Sequence, residues 1–148
     1  MKAKLINPSW FNLFIPISIA AHFIFPIKAL IHSPLRFLGV APILAGVVLN
    51  LAASDRLKRN QTPADFGQAP NRLVTDGPFR VSRNPIYLSG VAVLLGMAII
   101  LGSIVSFCFP VLLFLILDLI YIPSEERVLE EKFGNEYIEY KQTVRRWL

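Results

Sequence analysis

Residues 87–122 read YLSGVAVLLGMAIILGSIVSFCFPVLLFLILDLIYI and carry a single charged side chain, that of Asp118. A helix needs about 20 apolar residues to cross a bilayer, so this stretch is too long for one crossing and fits two. Gly102 and Ser103 lie near its middle, where glycine favours a turn. We therefore expect a tight hairpin of two spanning helices, residues 87–102 and 104–122.

Small residues recur four positions apart in this hairpin, at Ala92 and Gly96 and again at Ala98 and Gly102. Such pairs allow neighbouring helices to approach closely in a membrane. They are also frequent by chance, so they indicate packing and no particular function.

Two more apolar stretches precede the hairpin, residues 11–31 and residues 35–53. The first contains His22 and Lys28 but exceeds the roughly 7–15 apolar residues of a signal peptide, so we expect a retained span. The chain is 54% apolar and only 17% charged, with a positive mean hydropathy. The sequence therefore predicts an all-α integral membrane protein, with residues 1–148 forming one domain of four transmembrane helices.

The distribution of basic residues predicts the orientation. Thirteen of the 15 Lys and Arg residues lie in segments 1–10, 55–85 and 123–148, and the other two flank the connection between the first two spans. Basic segments remain on the cytoplasmic side of a membrane. We therefore expect both termini, the loop 55–85 and the tail 123–148 to face the cytoplasm, together with any active site.

The tail has the pattern of an amphipathic helix. Ser124 is a candidate N-cap, and Glu125 and Glu126 would then fall in a first turn that favours negative charge. The apolar side chains of the tail recur at helical spacing, at Leu129, Phe133, Tyr137 and Tyr140. We expect this helix to lie on the bilayer or on the loop, whose proline and glycine content favours turns.

The segment RNPIYLSG, residues 83–90, has a purely structural interpretation. Asn84 would cap a helix, Pro85 would occupy its first turn, Arg83 would extend towards lipid phosphates, and Tyr87 would mark the membrane interface. Asp118 is either a functional intramembrane carboxylate or a helix-end residue that is exposed to water or paired with an arginine.

The ordered set of these motifs is more specific than any one of them. NRLVTDGPFRVSRNPIY at 71–87, the hairpin, and EERVLEEKFGNEYIEYKQTVRRW at 125–147 follow one another along the chain. Together, over residues 61–148, they resemble the membrane methyltransferases typified by isoprenylcysteine carboxyl methyltransferase, with the phospholipid N-methyltransferases as relatives. The family pattern Arg-His-Pro-x-Tyr is Arg83-Asn84-Pro85-Ile86-Tyr87 here.

The resemblance implies an S-adenosyl-L-methionine site at the cytoplasmic face. Its cofactor-binding positions, carried over from the family, are Asn71, Arg72, Leu73, Val74, Phe79, Asn84, Pro85, Ile86, Tyr87 and Glu125. An aromatic ring and a carboxylate suit the cationic sulfonium and ammonium of that cofactor. No catalytic residue is assigned, although an amine acceptor would give Glu126 or Asp118 a possible role as base. No metal site is expected.

Three positions depart from the family pattern. Asn84 replaces a histidine, Ser89 replaces a glycine, and Tyr121 stands where the prenylcysteine enzymes have a substrate-binding arginine. The resemblance therefore implies a lipophilic acceptor embedded in the membrane, either isoprenylcysteine carboxylate-like or phospholipid-like, with Tyr121 favouring an acceptor other than a prenylcysteine. Membrane lipids are expected partners and nucleic acid is not, and the oligomeric state is open.

Two alternatives remain at this level. One is a membrane reductase of the sterol reductase type, which would bind NADPH. The other is a non-enzymatic membrane subunit in which the motif is only structural.

Overall fold

The computed structural model describes residues 9–25, 30–62 and 70–148, and the regular structure in these ranges is helical. Its α-helices are α1 (Phe14–Ile24), α2 (Val40–Arg59), α3 (Pro85–Leu101), α4 (Ile104–Ile116), α5 (Ile122–Phe133) and α6 (Asn135–Thr143). Short 3-10 turns precede α1, α2 and α3 at Ser9–Leu13, Leu35–Gly39 and Gly77–Arg80. A π-helical turn, Leu117–Tyr121, joins α4 to α5 without a break.

The hairpin turn predicted near Gly102 and Ser103 is present. Gly102 ends α3 with φ +71°, in the left-handed region that favours glycine. Ser103 caps α4, and its side-chain oxygen accepts a hydrogen bond from the Ser106 amide. The Gly102 carbonyl in turn accepts from the backbone amides of Leu30 and Ile31 at 2.7 and 3.3 Å. The chain between the first two helices is therefore attached to the hairpin turn.

The first two apolar stretches differ from their predicted bounds. The predicted helix over 11–31 ends at Ile24, and the segment 26–29 lies outside the described residues. Leu30 and Ile31 are not helical, because their amides bind the hairpin turn instead. The predicted span 35–53 begins as a 3-10 turn and continues as α2 to Arg59. A helix does not need to stop where the charges begin, since these side chains extend outward from it.

Among the described residues, two continuous helices are long and apolar enough to cross a membrane, Leu35–Arg59 and Ile104–Phe133. The apolar helices Phe11–Ile24 and Pro85–Leu101 are shorter. At about 1.5 Å per residue, the 17 residues of α3 extend about 26 Å, close to the hydrocarbon thickness of a bilayer.

Helices α2 and α3 pack closely through small residues. A Cβ atom added to Gly96 would collide with the Gly39 carbonyl oxygen, and one added to Gly46 would lie 2.7 Å from the Ser89 carbonyl oxygen. Asn50 of α2 also donates a hydrogen bond to the Ser89 hydroxyl at 3.0 Å. The close approach expected at Gly96 is therefore present, and its partner is α2.

Large apolar side chains cover much of the outer surface. Phe23, Phe37, Leu51 and Leu119 are each more than 60% exposed. A soluble monomer rarely exposes so much apolar surface, whereas lipid tails cover it without cost. These faces identify a membrane protein.

The tail differs from the predicted single helix that begins at Ser124. Ser124 lies inside α5, which continues from the π-helical turn and needs no cap at that position. The tail also divides into two helices, because Gly134 adopts φ +54° between α5 and α6. This break turns Tyr137 and Tyr140 of α6 into the protein, where both are buried.

Candidate active site at the start of α3

A hydrogen bond joins the start of α3 to α5. The Tyr87 hydroxyl donates to Glu125 Oε1 at 2.7 Å. Tyr87 is buried, in the first turn of a helix that Pro85 begins, and Glu125 is partly buried in the first turn of α5. Glu125 has no ion-pair partner among the residues that the structure describes. A carboxylate in this position favours a cationic ligand.

Aromatic rings form a cluster with Tyr87. The Phe11 ring lies 4.8 Å from the Tyr121 ring and 6.5 Å from the Tyr87 ring, with edge-to-face geometry in both cases. Phe14 continues the cluster one turn along the first helix, 6.5 Å from Phe11. Three separate chain segments thus supply aromatic rings next to Tyr87, whose hydroxyl binds the Glu125 carboxylate, and such rings attract cations.

The loop before α3 forms a second apolar cluster. Val74 and Phe79 are buried against Ala53 of α2, and Ile86 packs on them from α3. Tyr140 of α6 donates its hydroxyl hydrogen to the Phe79 carbonyl at 2.6 Å. Burial raises the pKa of the Tyr140 phenol, so the group remains a donor at neutral pH. The loop is therefore fixed from both sides, by α2 and by α6.

Other predicted site residues occupy more exposed positions. Asn71 and Arg72 are exposed on the loop, and Asn71 donates to the Gln61 carbonyl at 3.2 Å. Leu73 is partly buried beside them. The structure thus divides eight of the ten predicted positions between the Tyr87–Glu125 pair, the loop cluster and the stretch 71–73. The remaining two are Pro85, which is buried at the start of α3, and Asn84, which contacts the tail.

Asn84 contacts the end of the tail. It stands at the N-cap position of α3, but its side chain does not cap the helix. Its Nδ2 instead donates to the Arg146 carbonyl at 3.0 Å. The capping role considered for Asn84 is wrong, because its side-chain oxygen accepts no hydrogen bond from the backbone amides in the first turn of α3.

Glu126 is the centre of a charge network beside the site. Its carboxylate binds Arg83 Nη1 at 2.8 Å and Arg146 Nη2 at 3.1 Å, with Lys141 Nζ at 3.4 Å. The side chains of Glu126 and Arg83 are only 7% and 8% exposed. Arg83 therefore binds a buried carboxylate inside the protein and does not extend to the lipid phosphates.

Asp118 takes part in the same network. Its Oδ1 accepts from Arg146 Nη1 at 3.0 Å and from the Trp147 indole nitrogen at 2.9 Å. Of the two interpretations of Asp118, the Arg-paired residue is the one present. No local pattern indicated this partner, because 28 residues separate Asp118 from Arg146 and the intervening chain folds back through α5 and α6.

Comparisons with known proteins found a family match, a related protein and a similar solved structure. The family model for phospholipid methyltransferases matches residues 35–136, more than half of the chain. An uncharacterised protein of Haemophilus influenzae is 41% identical over 63 residues, which are 43% of this chain and all of that protein.

A solved structure of the eukaryotic intramembrane Ras methyltransferase, isoprenylcysteine carboxyl methyltransferase, is also similar. It matches with a TM-score of 0.69 and 26% identity, over 97% of this chain and 53% of that one. The chain thus spans about half the length of that enzyme. The family model and the solved structure both favour the methyltransferase interpretation over the reductase. The chain belongs to the phospholipid methyltransferase family.

Proposed function

We propose that the protein is a methyltransferase that takes its methyl group from S-adenosylmethionine and transfers it to a lipophilic acceptor in the membrane. The observation that carries the proposal is the Tyr87–Glu125 hydrogen bond beside the rings of Phe11 and Tyr121. Family membership and the similarity to a Ras methyltransferase support the same reaction class.

The residues present fit the chemistry of the cofactor. When bound, S-adenosylmethionine supplies an electrophilic methyl group on a cationic sulfonium, next to an ammonium and a carboxylate. Glu125 offers a carboxylate that no cation of the described residues neutralises, and Tyr87 holds one of its oxygens in place. The neighbouring rings offer faces that attract positive charge.

In this mechanism the protein acts mainly by orientation and by exclusion of water. Methyl transfer needs the donor and acceptor in line, and holding two reactants in that geometry contributes about 7–11 kcal/mol in favourable cases. Tyr87 and Tyr121 are buried at the site and keep water from it. The loop cluster of Val74 and Phe79 fixes the chain that leads into α3.

An amine acceptor would also have to lose a proton, and the two candidate bases are occupied. Glu126 is bound by Arg83 and Arg146, and Asp118 by Arg146 and Trp147. Either carboxylate would have to break an ion pair before it accepted a proton. A base supplied by water or by the acceptor itself is compatible with the structure, and a carboxylate acceptor needs none.

We further propose that all four apolar helices cross the membrane, with the site and both termini in the cytoplasm. The basic residues of the loop and tail support this orientation. The acceptor would then reach the site sideways from the bilayer, past Tyr121, which takes the place of the family's substrate arginine. A tyrosine ring does not neutralise a carboxylate, so this position favours an acceptor that is not a prenylcysteine.

The first test is calorimetric titration of the detergent-solubilised protein with S-adenosylmethionine and S-adenosylhomocysteine. We expect saturable binding, weakened more than tenfold by Glu125→Gln, because the substitution removes the carboxylate that faces the cation. Tyr87→Phe is expected to weaken binding less, since only the hydrogen bond that orients Glu125 is lost. Glu131→Gln makes the same change on an exposed residue of α5 and should leave the affinity unchanged.

Transfer of a labelled methyl group from S-adenosylmethionine into extracted membrane lipids then identifies the acceptor. No cofactor binding by a folded sample would contradict the proposal. Binding without transfer to any lipid or prenylated thiol would retain the cofactor and reject the acceptor class.

A further inference from the structure

The end of the tail lies across the start of α3. The Arg83 amide donates to the Arg145 carbonyl at 3.0 Å. The Arg146 carbonyl accepts from Asn84 Nδ2 at 3.0 Å and from the Ser82 hydroxyl at 3.3 Å. Three consecutive residues immediately before α3 thus hold the tail backbone in place.

The side chains of Arg146 and Trp147 contact α4, α5 and the π-helical turn between them. Arg146 binds Glu126 of α5 through Nη2 at 3.1 Å and Asp118 of the π-helical turn through Nη1 at 3.0 Å. Trp147 donates to Asp118 and stacks on the Phe114 ring at 4.8 Å. The segment 145–147 is therefore attached to α3 by its backbone and to α4 and α5 by its side chains.

These attachments lie beside the candidate site. Asn84 lies three residues before Tyr87, and Glu126 follows Glu125 directly. Trp147 also packs against the core cluster that contains Tyr87. The distance between the Tyr87 hydroxyl and the Glu125 carboxylate depends on how α3 and α5 sit relative to each other, and the tail joins those two helices beside that contact.

We propose that Arg146 is a positioning residue, which holds Tyr87 and Glu125 together through its contacts with Asn84, Glu126 and Asp118. This inference rests on the proposed function for its effect on the cofactor. Arg146 acts through the pair and does not itself contact the cofactor.

The geometry requires arginine at this position. Arg146 contacts Glu126 and Asp118 through its two different Nη atoms, so its planar guanidinium connects both carboxylates. A lysine ammonium is a single point charge and cannot reproduce this fork. Lysine therefore restores the charge but only part of the geometry.

The test compares wild type with Arg146→Ala and Arg146→Lys by calorimetric titration with S-adenosylmethionine. We expect a roughly three- to tenfold loss of affinity for Arg146→Ala, similar to that of Tyr87→Phe because Arg146 acts through the same contact, and an intermediate affinity for Arg146→Lys. Lys141→Ala, which removes another cation from Glu126, should change affinity less than twofold. Ser103→Ala removes the cap of α4 at the far end of the hairpin and should lower thermal stability without weakening binding.

Amide hydrogen exchange of the protein without cofactor supplies a second measurement that does not depend on the proposed function. Peptides covering residues 83–88 and 122–128 should exchange faster in Arg146→Ala than in wild type or Ser103→Ala. Where Arg146→Ala does not fold, Trp147→Phe replaces it: this variant keeps the ring stacking but loses the bond to Asp118, and a smaller effect in the same direction is expected.

The outcomes separate the two proposals. Failure of wild type to bind the cofactor rejects the proposed function, and exchange alone then decides the role of Arg146. Binding by wild type with equal affinity in Arg146→Ala overturns the positioning role, as does an equal loss in Ser103→Ala. Unchanged exchange in both peptides overturns it too.

Discussion

Replacing Glu126 with glutamine is expected to lower the free energy of unfolding by roughly 3–5 kcal/mol, because it leaves a buried guanidinium without its counter-ion. Arg83 is 8% exposed and ion-paired to Glu126, and its Nε already lacks a hydrogen-bond partner among the described residues. A neutral amide leaves the charge of Arg83 buried and uncompensated. Thermal unfolding in detergent, followed by circular dichroism, measures the loss.

The matched control is Glu130→Gln, one turn further along α5. Glu130 is 40% exposed and, within the part of the chain that the structure describes, pairs only with the exposed Lys141, so its removal should cost no more than about 1 kcal/mol. The double variant Arg83→Met with Glu126→Leu should recover much of the stability, since it removes both buried charges. Equal destabilisation by the two glutamine variants would show that the buried Arg83–Glu126 pair contributes no more to the free energy of unfolding than the exposed pair.

Replacing Gly96 with alanine is expected to destabilise the α2–α3 contact by at least 1–3 kcal/mol, the usual cost of overpacking a tight interface. The added Cβ would collide with the Gly39 carbonyl oxygen and would lie 3.0 Å from the Ile43 amide nitrogen. Both are backbone atoms, so relief requires the two helices to separate. The thermal unfolding midpoint in detergent should fall.

Gly90 of the same helix provides the control. A Cβ added there meets no heavy atom of the described residues within 4 Å. Gly90→Ala should therefore leave stability unchanged or raise it slightly, since alanine is the better helix former by about 0.5–1 kcal/mol. A midpoint that fell equally for both substitutions would contradict the interpretation of Gly96 as a contact residue.

Several features of the fold followed from local properties of the sequence. Long apolar stretches predict helices for a membrane, and Gly102 with Ser103 between two of them predicts the turn, because both signals depend only on neighbouring residues. Tyr87 and Glu125 were named through a family resemblance. Their resemblance-derived role in cofactor binding remains a prediction, although the structure brings the two side chains to 2.7 Å.

Other features required the tertiary structure. The hydrogen bond from the Asn84 amide to the tail had no signal in the sequence, and neither had the role of Arg146. The pattern of the tail also predicted one helix where Gly134 makes two. Contacts between residues 28 or 62 positions apart depend on how α5 and α6 return to the start of α3.

The sequence by itself determined a helical chain suited to a membrane and the position of its hairpin. Periodicity and hydropathy act over a few helical turns, so these properties are visible without the fold. Only the tertiary structure decided which charges neutralise one another and that the tail joins α3 to α5. Ion pairs form wherever packing brings opposite charges together, and no local pattern records that geometry.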